Sequence, residues 1–418
     1  MIYQNILIFA AFIFIYSLIA KRFEKTAISG PFLAIIFGLV TGPLLLNLIE
    51  VKVEIEGYKV IAELALALVL FTDASNTNIK ELIKNVSVPA RLLLIGLPLT
   101  ILLGMLGGVI VFNGFSWIEL GILATLLAPT DAALGKPVVT NPSVPSKLRE
   151  SLNVESGLND GICVPVLFLF IALFSTQTGE GIKLSYGLAL FGRQIGIGLI
   201  AGLVITFAAD KLVNYSQKKG LISKSWETVV IVALAFSCFT LAQLAGGSGF
   251  IACFTGGLLY SALNRKYKHD ILEEAEGIGD TLSMLTWVIF SSVIIASNIW
   301  HFTWDVVIYA LLSMTLIRII PVLISLINTG ISWKEKLFIG WFGPRGLASI
   351  VFAIIVFEIE LPHKETIILT AVCTILLSII LHGFTANPFI KILNKKLVPD
   401  LSDKSSSASE KIIPQNHK

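Results

Sequence analysis

The stretches LAPTD at 127–131 and ESGLND at 155–160 decide how this chain folds. Each lies near the middle of a hydrophobic segment that is long enough to cross a lipid bilayer. A charge at that depth costs roughly 2.5 kcal/mol or more, so carboxylates found there usually serve a function. Pro129 also removes a helical hydrogen bond beside Asp131. We therefore expect carboxylates and unpaired backbone carbonyls to meet at mid-membrane.

The composition places the chain among membrane proteins. Of its 418 residues, 55% are hydrophobic and only 14% are charged, a balance that is far from that of a soluble domain. The four cysteines lie within apolar runs without C-x-x-C spacing, so they predict neither disulfides nor a metal site. The net charge of +3 is small and the basic residues are scattered, which argues against nucleic acid as a partner.

Hydropathy predicts an all-α polytopic membrane protein with about 13 transmembrane helices, at about 20 apolar residues per crossing. The first segment has neither a basic n-region nor a small-residue cleavage site, so we expect it to remain as a helix. The predicted spans are 2–20, 31–49, 58–73, 90–112, 117–135, 152–174, 184–212, 226–244, 247–263, 278–299, 306–327, 335–357 and 366–389.

Loop charges predict the orientation. If the amino terminus lies outside, most of the 31 lysines and arginines fall in inner loops and in the carboxyl-terminal tail, as the positive-inside rule requires. We therefore expect a multi-pass protein of the cell (inner) membrane with a cytoplasmic carboxyl terminus. The serine- and lysine-rich residues 396–418 are expected to form a short disordered cytoplasmic tail.

Helix breakers fall at matching positions in two halves of the chain. The fifth span is interrupted at Pro129 and the twelfth within GWFGPRG at 340–346. An odd number of spans separates the two breaks, which reverses the orientation, so we expect two inverted repeats with crossed discontinuous helices. Paired breaks of this kind point to a transporter's midplane site. Isolated proline kinks are the alternative, but Asp131 and Arg345 beside the breaks favour a site.

The residue types around the breaks suit a hard monovalent cation. Ser156 and Asp160 are four residues apart, so on a helix they face the same cavity. Sodium prefers oxygen ligands, and the predicted ligands are Asp131, Asp160, Thr130, Ser156 and the carbonyls near Pro129. A proton can compete for the same carboxylates, and such competition with alternating access is sufficient for exchange.

A structural role is the alternative for the buried acids. Asp131 and Asp160 could each form a salt bridge with a buried arginine that holds two helices together. Glu155 lies only one turn from the candidate ligands, and we expect it to be a structural partner of Arg345 rather than a ligand.

Other polar groups leave alternatives open. Arg318 could hold Asn159 or a helix end, and Arg193 could reach the headgroup region. Asp73 could be an accessory ligand or an interfacial cap. Sequence spacing does not decide between these roles.

Motif searches exclude several classes of function. The sequence contains no H-E-x-x-H zinc pattern, no G-x-x-x-x-G-K-[ST] phosphate loop and no G-x-S-x-G nucleophile elbow. We therefore expect the chain not to be an enzyme and to carry no cofactor, with the ions as its cargo.

With LAPTD, NVESGLND at 153–160 and GWFGPRG in this order, the chain resembles the monovalent cation:proton antiporters, in the branch of bacterial NhaP-type proteins and animal sodium/proton exchangers. The resemblance covers about residues 1–395, the expected transmembrane antiporter domain. It implies a homodimer in which a core domain moves like an elevator against a dimerisation domain. The implied core helices are about 90–174 and 306–389, and the implied dimerisation or scaffold helices are about 1–73 and 184–299.

The resemblance also assigns roles to residues. It implies that Asp131 and Asp160 bind a cation or protons in turn, that Thr130 and Ser156 add ligands, and that the acid near Asp73 contributes. It further implies a structural ion pair between Glu155 and Arg345. The Asn159-Asp160 pair resembles that of electroneutral members, which exchange one cation for one proton.

Two classes of function follow from these residues. The first is a sodium/proton antiporter, with lithium or potassium as other possible cations. The second is a cation channel or a sodium-coupled solute symporter on a similar inverted-repeat fold. Asn159 and Asp160 opposite Asp131 leave little room for an organic substrate, which favours the antiporter.

Overall fold

In this computed structural model, the described residues are 2–23, 29–49, 55–131, 134–139, 141–177, 184–263 and 268–394. They form helices and connecting loops, with no strand among them. The predicted tail at 396–418 lies outside the described residues. The predicted all-α architecture is confirmed.

The helices follow the predicted spans in order. They are α1 Ile2–Phe23, α2 Gly30–Thr41, α3 Ile55–Asn76, α4 Ser87–Val111, α5 Trp117–Leu126, α6 Ser146–Gln177, α7 Leu184–Lys218, α8 Lys224–Leu244, α9 Gly249–Leu263, α10 Lys268–Ile289, α11 Trp304–Ser325, α12 Trp333–Trp341, α13 Leu347–Phe357 and α14 Lys364–Asn394. Eight helices in the described part of the chain are long and apolar enough to cross a membrane, and the shorter apolar helices include α2, α5, α9 and α13.

Several predicted boundaries are wrong. The seventh span was expected to end at residue 212 and the tenth to begin at residue 278, but α7 ends at Lys218 and α10 begins at Lys268, so both helices continue beyond their apolar parts. Two further differences have a cause in local backbone chemistry. The second span was expected to reach residue 49, but α2 ends at Thr41, where the Gly42 N–H caps the Gly38 carbonyl at 2.8 Å. The next residue is a proline, which cannot donate to a continuing helix. The sixth span was expected to begin at residue 152, but α6 begins at Ser146, directly after Pro145, and is therefore longer than its apolar part.

The two interrupted spans begin in the same way. A capping box opens α5, with Ser116 and Glu119 exchanging hydrogen bonds of 3.2 and 2.9 Å. Another opens α12, with Ser332 and Glu335 at 3.3 and 2.8 Å. Such a box satisfies backbone N–H groups at the start of a helix. The shared start and the shared interruption are consistent with two repeats of one unit.

The two breaks cross each other. Helix α5 ends at Leu126, and the chain then runs non-helically to Asp131, whose N–H donates to the carbonyl of Pro344 at 2.7 Å. On the other chain segment, α12 ends at Trp341 and α13 begins at Leu347. The crossed discontinuous helices predicted from the breakers are thus present. The division into core and dimerisation helices stays a prediction.

Close helix packing places α6 beside the crossing. A Cβ on Gly157 of α6 would lie 2.2 Å from the Phe254 ring of α9, so only glycine allows this approach. On α9, a Cβ on Gly257 would lie 2.4 Å from the Phe71 carbonyl of α3. Helix α9 therefore packs tightly between α6 and α3.

Candidate ion-binding site

The polar face of α6 holds the broken end of the fifth span through Thr130. The Ser156 hydroxyl donates to the Thr130 carbonyl at 2.5 Å, and the Asn159 amide donates to the Thr130 hydroxyl at 2.9 Å. The Thr130 N–H in turn donates to the Asn159 side-chain oxygen at 3.2 Å. All three residues are buried. Asn159 and Ser156 therefore position Thr130 at the broken end of the span.

The carboxylate of Asp131 sits at the start of α13. Its Oδ2 accepts the Leu347 N–H at 2.9 Å, and its Oδ1 accepts the Leu134 N–H at 3.2 Å. Backbone N–H groups at a helix N-terminus favour an anion. Asp131 is half-buried, so this arrangement stabilises a carboxylate inside the apolar part of the protein.

Gly346 is required for this approach, and its replacement is the first test. A Cβ added there would lie 1.9 Å from Asp131 Oδ2. We expect Gly346→Ala to force Asp131 away from α13 and to lower the free energy of unfolding by about 1–3 kcal/mol, as overpacking does. Thermal unfolding in detergent measures the change. Gly277→Ala is the control, because a Cβ there meets nothing within 4 Å, and equal melting temperatures for the two variants would contradict the expectation.

Asp160 lies on α6 next to this crossing and is only 3% exposed. In the described part of the chain its Oδ1 has no hydrogen-bond partner, and no salt bridge engages its carboxylate. The charges of Asp131, Asp73 and Arg345 act on it. A buried carboxylate oxygen without a partner is costly, so this position suits a group that binds a proton or a cation.

A small cleft opens onto the crossing. Its wall includes the three candidate ligands Thr130, Asp131 and Ser156, and the remaining lining residues are Gly135, Val138, Val139, Leu152, Phe342 and Pro344. The structure therefore brings Thr130, Asp131 and Ser156 to one cleft, whereas Asp160 is not among its lining residues and lies one helical turn from Ser156 on the same helix. Asp73 is half-buried on α3, and its role as a ligand or a cap stays a prediction.

The backbone carbonyls near Pro129 do not face the cleft as expected. Arg345 is fully buried, and its guanidinium donates to the carbonyls of Pro129 at 3.3 Å, Ala128 at 3.5 Å and Gly343 at 3.1 Å. Carbonyls left unpaired by a break need donors, and Arg345 supplies them from the other break. The prediction that these carbonyls are cation ligands therefore needs correction: they are partners of Arg345.

The predicted ion pair between Glu155 and Arg345 is wrong. Glu155 instead forms a buried salt bridge with Arg318 of α11, with N–O distances of 2.5 and 2.8 Å. Arg345 is engaged by the carbonyls of both breaks. Arg318 reaches Glu155 past Gly343, where a Cβ would lie 2.8 Å from Arg318 Nε. The two roles suggested for Arg318, holding Asn159 or a helix end, are replaced by this pair.

Two polar residues of α14 were missed by the sequence reasoning. The hydroxyl of Ser378 accepts the Arg345 N–H at 2.7 Å, and His382 contacts both Ser378 and the carbonyl of Trp341. The sequence offered a signal for them. They are polar residues four apart inside an apolar span, the same spacing that singled out Ser156 and Asp160 on α6.

Comparisons with known proteins agree with this geometry. A family profile described as "Sodium/hydrogen exchanger, transmembrane" matches residues 8–392. The Na(+)/H(+) antiporter 2 of Zygosaccharomyces rouxii is 27% identical over an alignment of 402 positions, and the match covers 87% of this chain and 47% of that protein. The K(+)/H(+) antiporter NhaP2 of Shewanella sp. (strain ANA-3) is 22% identical over 284 residues, which are 68% of this chain and 49% of that protein. The chain thus spans about half the length of these relatives.

A solved structure also matches. The sodium proton antiporter MjNhaP1 from Methanocaldococcus jannaschii superposes with a TM-score of 0.77 at 24% sequence identity. The match covers 94% of this chain and 100% of that chain. The two chains therefore share one fold over nearly their whole length.

Proposed function

Because this chain belongs to the sodium/hydrogen exchanger family, we propose that it is a secondary active antiporter that exchanges a monovalent cation for protons. It is a multi-pass membrane protein. Sodium is the cation that we propose first, since relatives described as Na(+)/H(+) antiporters match the chain over most of its length. The observation that carries the proposal is the buried, unpaired Oδ1 of Asp160 beside Asp131 at the crossed breaks.

The proposed site is made of oxygen atoms. Asp131 and Asp160 supply carboxylates, Thr130 and Ser156 supply hydroxyls, and Asp73 is an accessory acid. Such a set suits a hard cation that needs no thiol or imidazole. Asn159 contributes by holding Thr130 in place. No resident cofactor is needed, because the ion itself is the cargo.

We propose that one cation is exchanged for one proton. Asp131 accepts two backbone N–H groups, which suits its ionised form. If Asp160 releases one proton when one monovalent cation enters, both loaded sites carry the same net charge. A carrier that crosses the membrane in either loaded form then moves no net charge per cycle.

Potassium/proton exchange is the second candidate within this class. A relative described as a K(+)/H(+) antiporter matches 68% of this chain. The same oxygen ligands bind either ion, so cavity size decides between them. A channel or a solute symporter is less well supported, because the relatives that match this chain are described as antiporters.

The membrane arrangement belongs to the same proposal. We propose that the protein lies in the inner membrane of the cell. The loop charges place its amino terminus outside and its carboxyl terminus in the cytoplasm. We further propose a homodimer in which the crossed helices move as a core against the remaining helices, which gives alternating access to the site.

Purified protein in liposomes tests the proposed exchange. The liposomes have an acidic lumen and a dye whose quenching reports that acidity, and sodium, lithium or potassium is then added outside. We expect dequenching with sodium at the lowest concentration, because cation entry drives proton exit. The sodium experiment is then repeated with equal potassium on both sides and valinomycin, which clamps the membrane voltage. We expect dequenching to persist under this clamp. Dequenching that follows the imposed voltage would instead show a channel or an electrogenic carrier.

A further inference from the structure

The segment between α12 and α13 is tied to α14 by two side chains that the ion site does not use directly. His382 Nε2 lies 2.8 Å from the carbonyl of Trp341, the last residue of α12. Ser378, one turn earlier on α14, receives the Arg345 N–H on its hydroxyl at 2.7 Å. The two ends of the break are thus attached to the same face of one continuous helix.

The contacts of the His382 ring join α14 to the end of α12. Nε2 lies 2.8 Å from the Trp341 carbonyl and Nδ1 lies 2.8 Å from the Ser378 carbonyl, and a carbonyl can only accept a hydrogen bond. Nδ1 also lies 3.1 Å from the Ser378 hydroxyl. The ring therefore contacts the last carbonyl of α12 on one side and Ser378 on the other.

These contacts form one continuous relay. It runs from the Arg345 N–H to the Ser378 hydroxyl, from Ser378 to the His382 ring, and from His382 Nε2 to the Trp341 carbonyl. Buried polar networks of this kind can hold their members in one geometry. The His382 ring is 4% exposed and packs against the Trp341 ring at 5.5 Å.

The relay bears on the ion site because the tied segment carries the partners of Asp131. The Pro344 carbonyl accepts the Asp131 N–H at 2.7 Å, and the Leu347 N–H donates to the Asp131 carboxylate at 2.9 Å. Pro344 directly precedes Arg345, whose N–H is the group that Ser378 holds, and Leu347 follows Arg345 by two residues. A shift of this segment relative to α14 therefore moves the Asp131 carboxylate.

We propose that His382 is a positioning residue for cation binding, which acts with Ser378 to fix the helix break that orients Asp131. The proposal rests on the proposed exchange function. His382 neither lines the cleft nor contacts a candidate ligand, so it acts through the backbone of the break. It carries no transported proton.

Three variants test the proposal in full-length protein. His382→Phe keeps a ring among the aromatic neighbours but loses the ring's hydrogen bonds, and Ser378→Ala removes the hydroxyl that contacts both Arg345 and His382. His382→Gln retains one donor and one acceptor. His301→Phe is the control, because His301 is exposed on the segment before α11. The readouts are the sodium concentration for half-maximal exchange in liposomes and the sodium concentration that gives half of the thermal stabilisation in detergent.

We expect His382→Phe and Ser378→Ala to raise both sodium concentrations by about tenfold, the effect of one lost buried hydrogen bond, with the maximal exchange rate reduced less. His382→Gln should restore most of the affinity and leave the pH profile of exchange unchanged. Wild-type sodium affinity in His382→Phe would overturn the proposal, as would a shifted pH profile in His382→Gln, which would make His382 a proton carrier. Sodium-dependent thermal stabilisation measures sodium binding and does not require transport. If the wild-type protein showed no exchange, the proposed function would be overturned, but the comparison of sodium binding between the variants would still test the role of His382.

Discussion

Asp160→Asn is expected to abolish cation-for-proton exchange without unfolding the protein. The substitution removes both the carboxylate that takes the proton and one charged oxygen ligand. A charged hydrogen-bond or ligand contact is worth about 3 kcal/mol, so cation affinity should fall by about 100-fold. The side chain keeps its shape. Dye dequenching in liposomes and sodium-dependent thermal stabilisation in detergent should both be lost together.

The stability of the same variant distinguishes a site residue from a structural one. Asp160 Oδ1 has no partner in the described part of the chain, so removing its charge removes a desolvation cost rather than a bond. We expect the melting temperature without cations to stay the same or to rise. Asp305→Asn, at an exposed acid in the first turn of α11, is the control and should change neither exchange nor stability. A large fall in melting temperature for Asp160→Asn, with exchange retained, would show that Asp160 is structural.

Much of the fold was predictable because the bilayer restricts a chain to few options. Apolar runs of spanning length must be helices, since lipid satisfies no backbone hydrogen bond, and the breakers at Pro129 and 340–346 marked the two exceptions. A stronger repeat signal was overlooked. The sequence S-W-x-E occurs at 116–119 and at 332–335, where it forms the capping boxes that open α5 and α12. This shared motif relates the two halves of the chain directly, whereas the positions of the breaks relate them only through the number of predicted spans between them.

The site was predictable where the relevant contacts are local. Helical spacing placed Ser156 and Asp160 on one face of α6, and the depth of Asp131 in its span identified it as a candidate ligand. The partner of Glu155 could not be found in this way, because the choice depends on how α11 approaches the second break. That approach requires Gly343, whose missing side chain admits Arg318. Sequence spacing contains no information on such a contact between distant segments.

The use of the unpaired carbonyls was also beyond the sequence. A break shows that carbonyls lose their helical partners, and a cation or a donor group can equally well satisfy them. The structure shows that Arg345 crosses from the opposite break to the Pro129 carbonyl. Each inverted half therefore stabilises the interruption of the other, which is a relation between two halves rather than a property of either stretch.

Removing one partner of the Glu155–Arg318 pair should cost more stability than any other single charge removal among these groups. Both side chains are at most 3% exposed, so removing one partner leaves a buried charge uncompensated. We expect Glu155→Gln to lower the free energy of unfolding by about 3–5 kcal/mol, measured by thermal and denaturant unfolding in detergent. Arg345 cannot replace Arg318 as the partner, because it is held by the carbonyls of Pro129 and Gly343.

A double variant tests whether the loss of stability comes from the buried charge that is left without a partner. Glu155→Gln combined with Arg318→Met leaves no unpaired charge, so it should recover most of the lost stability, since a buried ion pair is often no more stable than apolar residues of similar volume. Glu360→Gln is the matched control, because the Lys364–Glu360 pair is exposed, with Glu360 at 94%, and such pairs are worth about 0–1 kcal/mol. If Glu155 depended on Arg345, Arg318→Met alone would cost little and the double variant would remain unstable. The salt bridge across Gly343 predicts the opposite on both counts: a large loss in each single variant and recovery in the double.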